Sequence, residues 1–335
     1  MIRKTALIFL VLVSFLNAGK YGDAFMFAGH PAAAIGVGNV GVVQLTGLRS
    51  VLMNPAGLAL TDRPEYYLQY NALYGLGFQY AAGFKNRYGN KWHWGLLWNR
   101  TGVNDIEEHP DISSLSTLER RDFVRNNAGL YSTFTSREDL LTFSLARHFR
   151  HRIDLGWQYE EFYIENPVGI SVKVLNKAMF GESAQGIGAD AGFRFIIPGN
   201  EIFYIRNLGN IIFAASAMNI YSTGIYWTTG HVDQAWMTVL WGAALDQPVS
   251  FLRSRLLLMF QNVIEDDPAF RWGVEWKIMD VLAFRLGKDD LGYNAGAGVR
   301  FRFGRHFVVM DYAFQDHPLD VGHRVSLTLM PGKKQ

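Results

Sequence analysis

The carboxy-terminal part of the chain, from Tyr293 to Met330, alternates between apolar and polar side chains with a period of two. From Tyr293 to Phe303 the even positions hold Asn, Gly or Arg, and the odd positions hold aromatic, Val or Ala side chains. Successive side chains of a strand point to opposite faces, so this segment has one apolar face and one polar face. The pattern returns over 307–315 and 322–330. Segments of about ten residues with this alternation are typical of a transmembrane β-barrel, with lipid outside and water inside.

The same alternation appears along most of the chain and predicts about fourteen strands, an even number, as in single-chain bacterial barrels. The predicted strands are 66–72, 76–84, 91–99, 139–148, 153–163, 187–196, 209–220, 236–246, 255–264, 270–278, 281–287, 293–303, 307–315 and 322–330. With the first strand running outward, the connections also follow the barrel rule of long outer loops and short inner turns. The predicted outer loops include 100–138, 164–186 and 221–235, and the predicted inner turns include 149–152, 279–280 and 304–306. The long inner connection 197–208 departs from the rule.

The first eighteen residues have the pattern of a secretory signal peptide. Arg3 and Lys4 precede an apolar run from Ala6 to Leu16, and Asn17-Ala18-Gly19 supplies small residues for cleavage. The apolar run is too short to span a bilayer comfortably. We therefore expect residues 1–18 to be removed and the mature chain to be exported to the bacterial outer membrane.

Residues 24–60 do not alternate. They are rich in Gly and Ala and carry little charge, with Arg49 nearly alone. Such small residues permit close backbone packing but make a poor strand. The stretch ends in Asn54-Pro55-Ala56-Gly57, a strong turn signal. We expect either a plug folded inside the barrel or a loose tail, and the plug gives the domain division 19–62 for the plug, 63–331 for the barrel and 332–335 for a tail.

The amino-acid composition limits the kinds of binding and catalytic site that the chain can form. The formal net charge of +2 gives no strong field to attract nucleic acid, and the absence of cysteine excludes disulfides and thiolate metal sites. The nine histidines show no metal-binding spacing, so we expect neither a metal nor another cofactor. One imagined hydrolytic set, His317, Asp320, His323 and Ser326, has no nucleophile placed beside a base. The sequence thus predicts no catalytic residues.

Charged side chains on the predicted inner faces have mixed signs. They are Asp154, Asp190, Arg194, Arg271, Glu275, Lys277, Arg285, Arg300, Arg302, Asp311 and Arg324. A pore selective for one sign of ion favours a ring of one charge. We therefore interpret the set as a polar network that holds the plug and joins neighbouring strands, with Glu275 and Arg285 able to pair. The alternative is that Arg300, Arg302 or Arg324 binds a substrate carboxylate.

Several short motifs resemble a known group of proteins. The stretch Ala34 to Leu60, with its Asn54-Pro55-Ala56-Gly57 turn, resembles the amino-terminal hatch of the FadL-like outer membrane barrels, and within them the PorV/PorQ and UPF0164 branch. Gly273-Val274-Glu275 with Phe284-Arg285-Leu286-Gly287 is similar to a motif pair of that branch. Asp311 to Phe314 and His323 to Leu327 resemble its last two strands.

The resemblance implies a fourteen-stranded barrel with a plug. Because the chain lacks a convincing catalytic constellation, we expect no enzymatic activity. It also implies passage of hydrophobic small molecules across the outer membrane or, alternatively, PorV-type service to a protein secretion or surface-attachment system. The expected partners are outer membrane lipid, a hydrophobic ligand and, for the second role, secretion proteins. Two features depart from the group: Leu45-Thr46-Gly47 replaces small acidic residues in the hatch, and the last strand ends at Met330 rather than at Phe.

Overall fold

The structure is a computed structural model. It describes residues 29–332 except 90, 128, 130, 155, 157–160 and 265–267. The predicted signal peptide and the start of the predicted plug lie outside this part of the chain. Within it, no helix has the length and apolar character needed to cross a membrane.

The described residues form sixteen strands and seven short helical segments. The strands are β1 Glu65–Leu73, β2 Gly77–Tyr88, β3 Trp92–Glu107, β4 Thr133–Asp154, β5 Glu161–Met179, β6 Glu182–Pro198, β7 Asn210–Met218, β8 Thr223–Trp227, β9 Val232–Ala235, β10 Thr238–Val249, β11 Ser254–Ile264, β12 Ala269–Ile278, β13 Leu282–Lys288, β14 Tyr293–Phe303, β15 His306–Gln315 and β16 Gly322–Met330. The α-helices are Ala32–Ile35, Gly41–Gln44, Thr117–Asn127 and Gly199–Phe203, and the 3₁₀ segments are Leu48–Leu52, Pro55–Leu60 and Phe251–Arg253.

Fourteen of these strands close into one antiparallel barrel. Each pairs with its neighbour along the chain, and β1 pairs with β16, for example Tyr67 with Thr328. The hairpin β8–β9 is an extra element that pairs with the outer part of β6 and lies beside the ring. Closure leaves no open edge in the ring, which is how a sheet satisfies its backbone groups in lipid. The prediction of a fourteen-stranded antiparallel barrel is confirmed.

The wall has the two faces that the alternation predicts. In β16, Val325 is 44% exposed on the outside, whereas its neighbours Arg324 and Ser326 are 1% and 2% exposed on the inside. In β14, Ala295 and Ala297 point outward and Asn294 points inward. The outer surface is thus a band of exposed apolar side chains, and the inner surface is polar.

The predicted boundaries are wrong in one region, between residues 149 and 186. Residues 149–152 are not a turn but part of the long strand β4, close to its end at Asp154, and the chain reverses only after Asp154, between β4 and β5. The predicted strand 153–163 therefore spans this reversal. The predicted loop 164–186 is strand in β5 and β6, joined by a tight turn at Phe180 and Gly181. The physical reason is length: β4 and β5 continue as a hairpin beyond Trp92, the first residue of β3, so the turn falls well past the barrel rim.

Two further loops are shorter than predicted. Strand β3 runs to Glu107 and β4 starts at Thr133, so the loop between them is 108–132 and contains the exposed helix Thr117–Asn127. The predicted loop 221–235 contains the β8–β9 hairpin. We call the end of the barrel with these long connections the loop end, and the end where β1 begins the turn end.

Candidate functional site

Residues 29–64, here called the plug segment, fold inside the barrel. Two four-residue helices and two 3₁₀ segments make a compact body whose side chains are almost all buried; Leu45, Leu48 and Leu58 have no exposed surface. Small residues allow this body to approach the wall closely. A Cβ atom at Gly36 would lie 3.1 Å from the Gly296 Cα of β14. The plug segment therefore packs against the inner face of the wall, and residues 19–28 of the predicted plug lie outside the described part of the chain.

The Asn54-Pro55-Ala56-Gly57 motif forms a capped turn at the centre of the plug segment. The Asn54 side chain accepts a hydrogen bond from Ala56 N at 3.1 Å and so begins the 3₁₀ segment Pro55–Leu60. Its Nδ2 donates to Val42 O at 3.2 Å, which ties the turn to the preceding helix. Only glycine fits at position 57, because a Cβ atom there would lie 2.5 Å from Leu45 O. The motif is therefore an internal brace of the plug, several residues before the chain enters β1.

The same turn contacts the wall at β5, β6 and β7. Asn54 Nδ2 also donates to Phe193 O of β6 at 3.2 Å, and Ser216 Oγ of β7 donates to Met53 O. A Cβ atom at Gly169 of β5 would lie 2.5 Å from the Pro55 carbonyl carbon, and one at Gly192 of β6 would lie 2.3 Å from Asn54 Oδ1. The wall backbone therefore approaches the plug backbone at Gly169 and the Asn54 side chain at Gly192.

A chain of alternating charges joins the plug to the opposite side of the wall. Arg285 Nε lies 2.6 Å from Glu275 Oε2, and Arg285 Nη1 lies 2.7 Å from Asp311 Oδ1. Arg49 of the plug donates to Asp311 at 2.7 Å, and Lys277 lies 2.9 Å from Glu275. Gln44 of the plug also donates to Glu275, at 3.0 Å. Paired and hydrogen-bonded charges can be kept in a buried site at a much lower cost than isolated ones.

A second ion pair anchors the point where the plug leads into the barrel. Glu65, the first residue of β1, accepts a hydrogen bond from Leu48 N at 2.8 Å and another from Thr61 Oγ1. Lys85 of β2 lies 3.6 Å from Glu65 and donates to Thr61 O. Gly47 permits this contact, because a Cβ atom there would lie 2.2 Å from a Glu65 carboxylate oxygen. Both charged side chains are buried, so each depends on the other.

Two wall arginines bind backbone oxygens of the plug. Arg194 of β6 donates to Val43 O at 2.9 Å and to Leu45 O. Arg324 of β16 donates to His30 O at 3.3 Å and to Gln315 Oε1 at 2.8 Å. Burial, the largest cause, lowers the pKa of the His30 imidazole to about 3, so the ring is neutral at pH 7 and hydrogen-bonds Asn39 at 2.8 Å.

The other predicted lumen residues lie apart from these contacts. Asp190 is buried and pairs with Lys173 of β5 at 2.7 Å, and Arg271 pairs with Asp290 near the loop end at 2.7 Å. At the turn end, Arg300 lies over the Phe307 ring at 4.9 Å, and exposed Arg302 donates to Gly304 O at 2.9 Å. The prediction that Asp154 faces the lumen is wrong. Asp154 is exposed at the end of β4, beyond the barrel rim, and accepts a hydrogen bond from Gly156 N at 2.8 Å.

Sequence reasoning missed several residues that complete these contacts: Gln44, Glu65, Lys85, Lys173 and Gln261. Gln261 of β11 accepts a hydrogen bond from Val42 N at 3.0 Å, and nothing in the sequence around residue 261 indicates a partner in the plug. Lys173 alternates with Val172 and Val174, so its inward position was detectable from the period of two. The hydrolytic set considered in the sequence analysis does not form. Its Ser326 points inward, whereas its His323 points outward and hydrogen-bonds Tyr312.

The wall sector that touches the Asn54 turn has cavities on both sides. On the outside lies an apolar groove of about 620 Å³, which crosses β4 to β7 and includes Leu145, Ile170, Phe193 and Ala215 in its lining. Inside the barrel, a small cavity of about 30 Å³ lies between the plug and the same strands. Its lining includes the plug residues His30, Val51 and Leu52, the wall apolar residues Leu140, Met218 and Leu240, and the Lys173–Asp190 pair. In this sector the wall that separates plug from groove includes the glycines Gly169 and Gly192.

No protein-family model and no curated protein sequence matches the chain. Among solved structures, a deltaS2 mutant of the TodX monoaromatic hydrocarbon channel superposes with a TM-score of 0.51 at 11% identity, over 91% of this chain and 99% of that one. In fold, the chain resembles the TodX channel. The CymD monoaromatic hydrocarbon channel gives a TM-score of 0.48 at 10% identity over 92% of this chain and 99% of that one. The outer membrane protein Omp33 of Acinetobacter baumannii gives a TM-score of 0.33 at 11% identity, over 82% of this chain and 100% of that one. At these identities the TodX likeness shows a shared fold.

Proposed function

We propose that this protein is an outer membrane barrel of the FadL-like type that passes hydrophobic small molecules between its lumen and the surrounding bilayer. The observation that carries the proposal is the arrangement at Gly169 and Gly192, where an apolar outer groove, a one-layer wall and a buried plug turn coincide. The fold shared with a monoaromatic hydrocarbon channel agrees with an apolar, low-molecular-mass ligand.

The charge distribution argues against a simple ion pore. Most buried charges in the described part of the lumen are paired or bound to the plug, as Glu275, Arg285 and Asp311 are in the chain that runs from Lys277 to Arg49. A selective pore uses a ring of one sign facing water. Here the charges hold the plug, and the plug would close the axial route. A hydrophobic molecule would then enter or leave sideways, through the wall at the groove.

Uptake of a labelled monoaromatic hydrocarbon by cells that carry the protein tests this route. In Ala215→Phe the new ring would fill the groove, so we expect a several-fold lower uptake rate. The matched control is Ala295→Phe, which adds the same ring to an outward position of β14 far from the groove and should leave uptake unchanged. If cells with each of the two variants take up the compound at the same rate as cells with the unmodified protein, the ligand does not pass at the groove.

The proposed location has its own test. Residues 1–18 would be cleaved near Ala18 or Gly19, leaving a plug over 19–62 and a barrel over 63–331 in the outer membrane. Mass spectrometry of the mature amino terminus in separated membrane fractions checks this. An uncut amino terminus in a soluble fraction would contradict both the signal peptide and the membrane location.

The alternative is the role of the PorV/PorQ and UPF0164 branch, service to a secretion or surface-attachment system. The exposed helix Thr117–Asn127 and the β8–β9 hairpin would supply the docking surface at the loop end. Deleting residues 112–127 separates the two roles. Loss of surface-protein export with unchanged hydrocarbon uptake would favour secretion, and the reverse result would favour transport.

A further inference from the structure

Arg147 lies at one end of the apolar groove on the outer wall. In the antiparallel register, Arg147 of β4 is directly opposite Trp92 of β3 on one side and Val168 of β5 on the other. Both of these neighbours line the groove. Because directly paired residues share a face of the sheet, the guanidinium lies beside the groove on the outside of the barrel. It is on the turn-end side of the groove residue Leu145.

Among the described residues, the Arg147 guanidinium has no counter-charge. Within the described parts of the chain, no carboxylate oxygen lies within 4.0 Å of Arg147, whereas nearby Arg152 pairs with Glu161. Arg147 instead stacks between two aromatic rings, 5.4 Å from the Trp92 centroid and 4.6 Å from the Phe149 centroid. Its Nε is buried without a hydrogen-bond partner among the described residues. Stacking fixes the position of the charge, and the two Nη groups, which make no hydrogen bond among the described residues, remain as donors for a ligand.

We propose that the groove and Arg147 together bind one glycerophospholipid molecule, with an acyl chain in the groove and the lipid phosphate against the guanidinium. This proposal rests on the membrane location in the proposed function, but not on transport. Arginine is well suited to phosphate because its planar donors can bind two oxygens at once. A groove of about 620 Å³ is within the roughly 300–1,000 Å³ of sites for small organic molecules, and its lining is almost entirely apolar.

The position of the site matches how a phospholipid sits in a bilayer. Tryptophan and tyrosine rings mark the level of the head groups in membrane proteins, and Trp92 stands at that end of the groove. A hydrocarbon without a head group would fill the groove and leave the donors of Arg147 unused. A phospholipid satisfies both parts of the site, because its phosphate lies near the interface and its chains extend toward the bilayer centre.

The test uses the full-length protein purified in a mild detergent and exchanged with defined lipids. Native mass spectrometry measures the fraction of molecules that retain one phosphatidylglycerol, compared with diacylglycerol, which has the same chains but no phosphate. The variants are Arg147→Gln, which removes the charge, and Ala215→Phe, which fills the groove. Arg302→Gln is the matched control, because Arg302 is an exposed arginine on β14 away from the groove.

We expect one retained phosphatidylglycerol on the unmodified protein and on Arg302→Gln, and weaker retention of diacylglycerol. Arg147→Gln should lower phosphatidylglycerol retention about fivefold, the usual effect of one basic residue near an anionic lipid surface. Ala215→Phe should lower retention of both lipids. Equal retention by Arg147→Gln and Arg302→Gln, or equal retention of the two lipids, would overturn the phosphate site. Unchanged retention by Ala215→Phe would overturn the groove as the acyl site. Hydrocarbon uptake is a separate measurement, so failure here leaves the transport proposal standing.

Discussion

At the scale of single residues, Asn54 makes three hydrogen bonds through one neutral side chain. It caps the 3₁₀ segment and donates to Val42 O within the plug and to Phe193 O in the wall. Asn54→Ala leaves these buried backbone groups without partners, and we expect a loss of about 1–3 kcal/mol in unfolding free energy. Urea titration in lipid vesicles measures the loss. Asn127→Ala, in the exposed loop helix, is the control and should change stability little; equal losses would show that the Asn54 contacts are not stabilising.

The outer apolar band gives a second residue-scale prediction. Leu286 of β13 is 53% exposed on the outside of the wall, and Leu291 is 43% exposed in the loop after β13. If the band lies in lipid, Leu286→Arg should lower the unfolding free energy by about 2–4 kcal/mol, whereas Leu291→Arg should have a small effect. Both variants replace Leu with Arg, and the two leucines have similar exposed fractions. Equal stabilities of the two variants in vesicles would mean that Leu286 does not face lipid.

Some residue partners follow from the sequence and others do not. Glu275 and Arg285 lie on neighbouring strands joined by a tight turn, so period and turn length together place them opposite each other. Gln44 contacts the same Glu275 across 231 residues of sequence. The plug has no period that relates it to the wall, and its position depends on close packing of many small residues. Its contacts therefore required the three-dimensional structure.

At the scale of elements, the Glu65–Lys85 pair joins three pieces of structure: the plug, β1 and β2. Glu65→Gln leaves the Lys85 charge buried without its partner, and breaking such a pair costs about 3–5 kcal/mol. The double variant Glu65→Gln/Lys85→Met removes both charges and should recover part of the loss. Thermal unfolding of the purified barrel measures each stability. A double variant no more stable than Glu65→Gln would indicate that the pair contributes nothing through its charge.

The number of strands in the ring was predictable because each crossing of the apolar band needs its own alternating segment. The limits of β4 and β5 were not, because the hairpin continues past the rim, where neither lipid nor lumen imposes a period of two. Pro167 also lies in β5, within the break in the β5–β6 pairing between Glu165 and Val168. A proline without an N–H group weakens a strand signal in the sequence. These features obscured the first part of β5, whereas the alternation around Lys173 was detectable.

For the whole molecule, we expect the plug to decide whether the barrel is open. The wall closes on itself through β1 and β16 and does not use the plug as a strand. Deleting residues 29–60 while keeping the signal peptide should therefore give a folded barrel with a wide, water-filled lumen. Single-channel conductance in planar bilayers should rise from near closure to a large, steady value. Equal conductance of the deleted and intact forms would mean that other residues close the lumen.

The seam between β1 and β16 joins residues from opposite ends of the barrel sequence, such as Tyr66 and Leu329. Bringing distant chain segments together is the slow, entropically costly step in forming sheets of this kind. One short plug segment binds β6 and β7 through the Asn54 turn and β12 and β15 through Gln44 and Arg49. We therefore expect the plug to shorten that search by holding these strands around a common centre before the last pairing forms. We expect the plug-deleted barrel to refold into vesicles more slowly than the intact chain, a delay that time-resolved tryptophan fluorescence would detect.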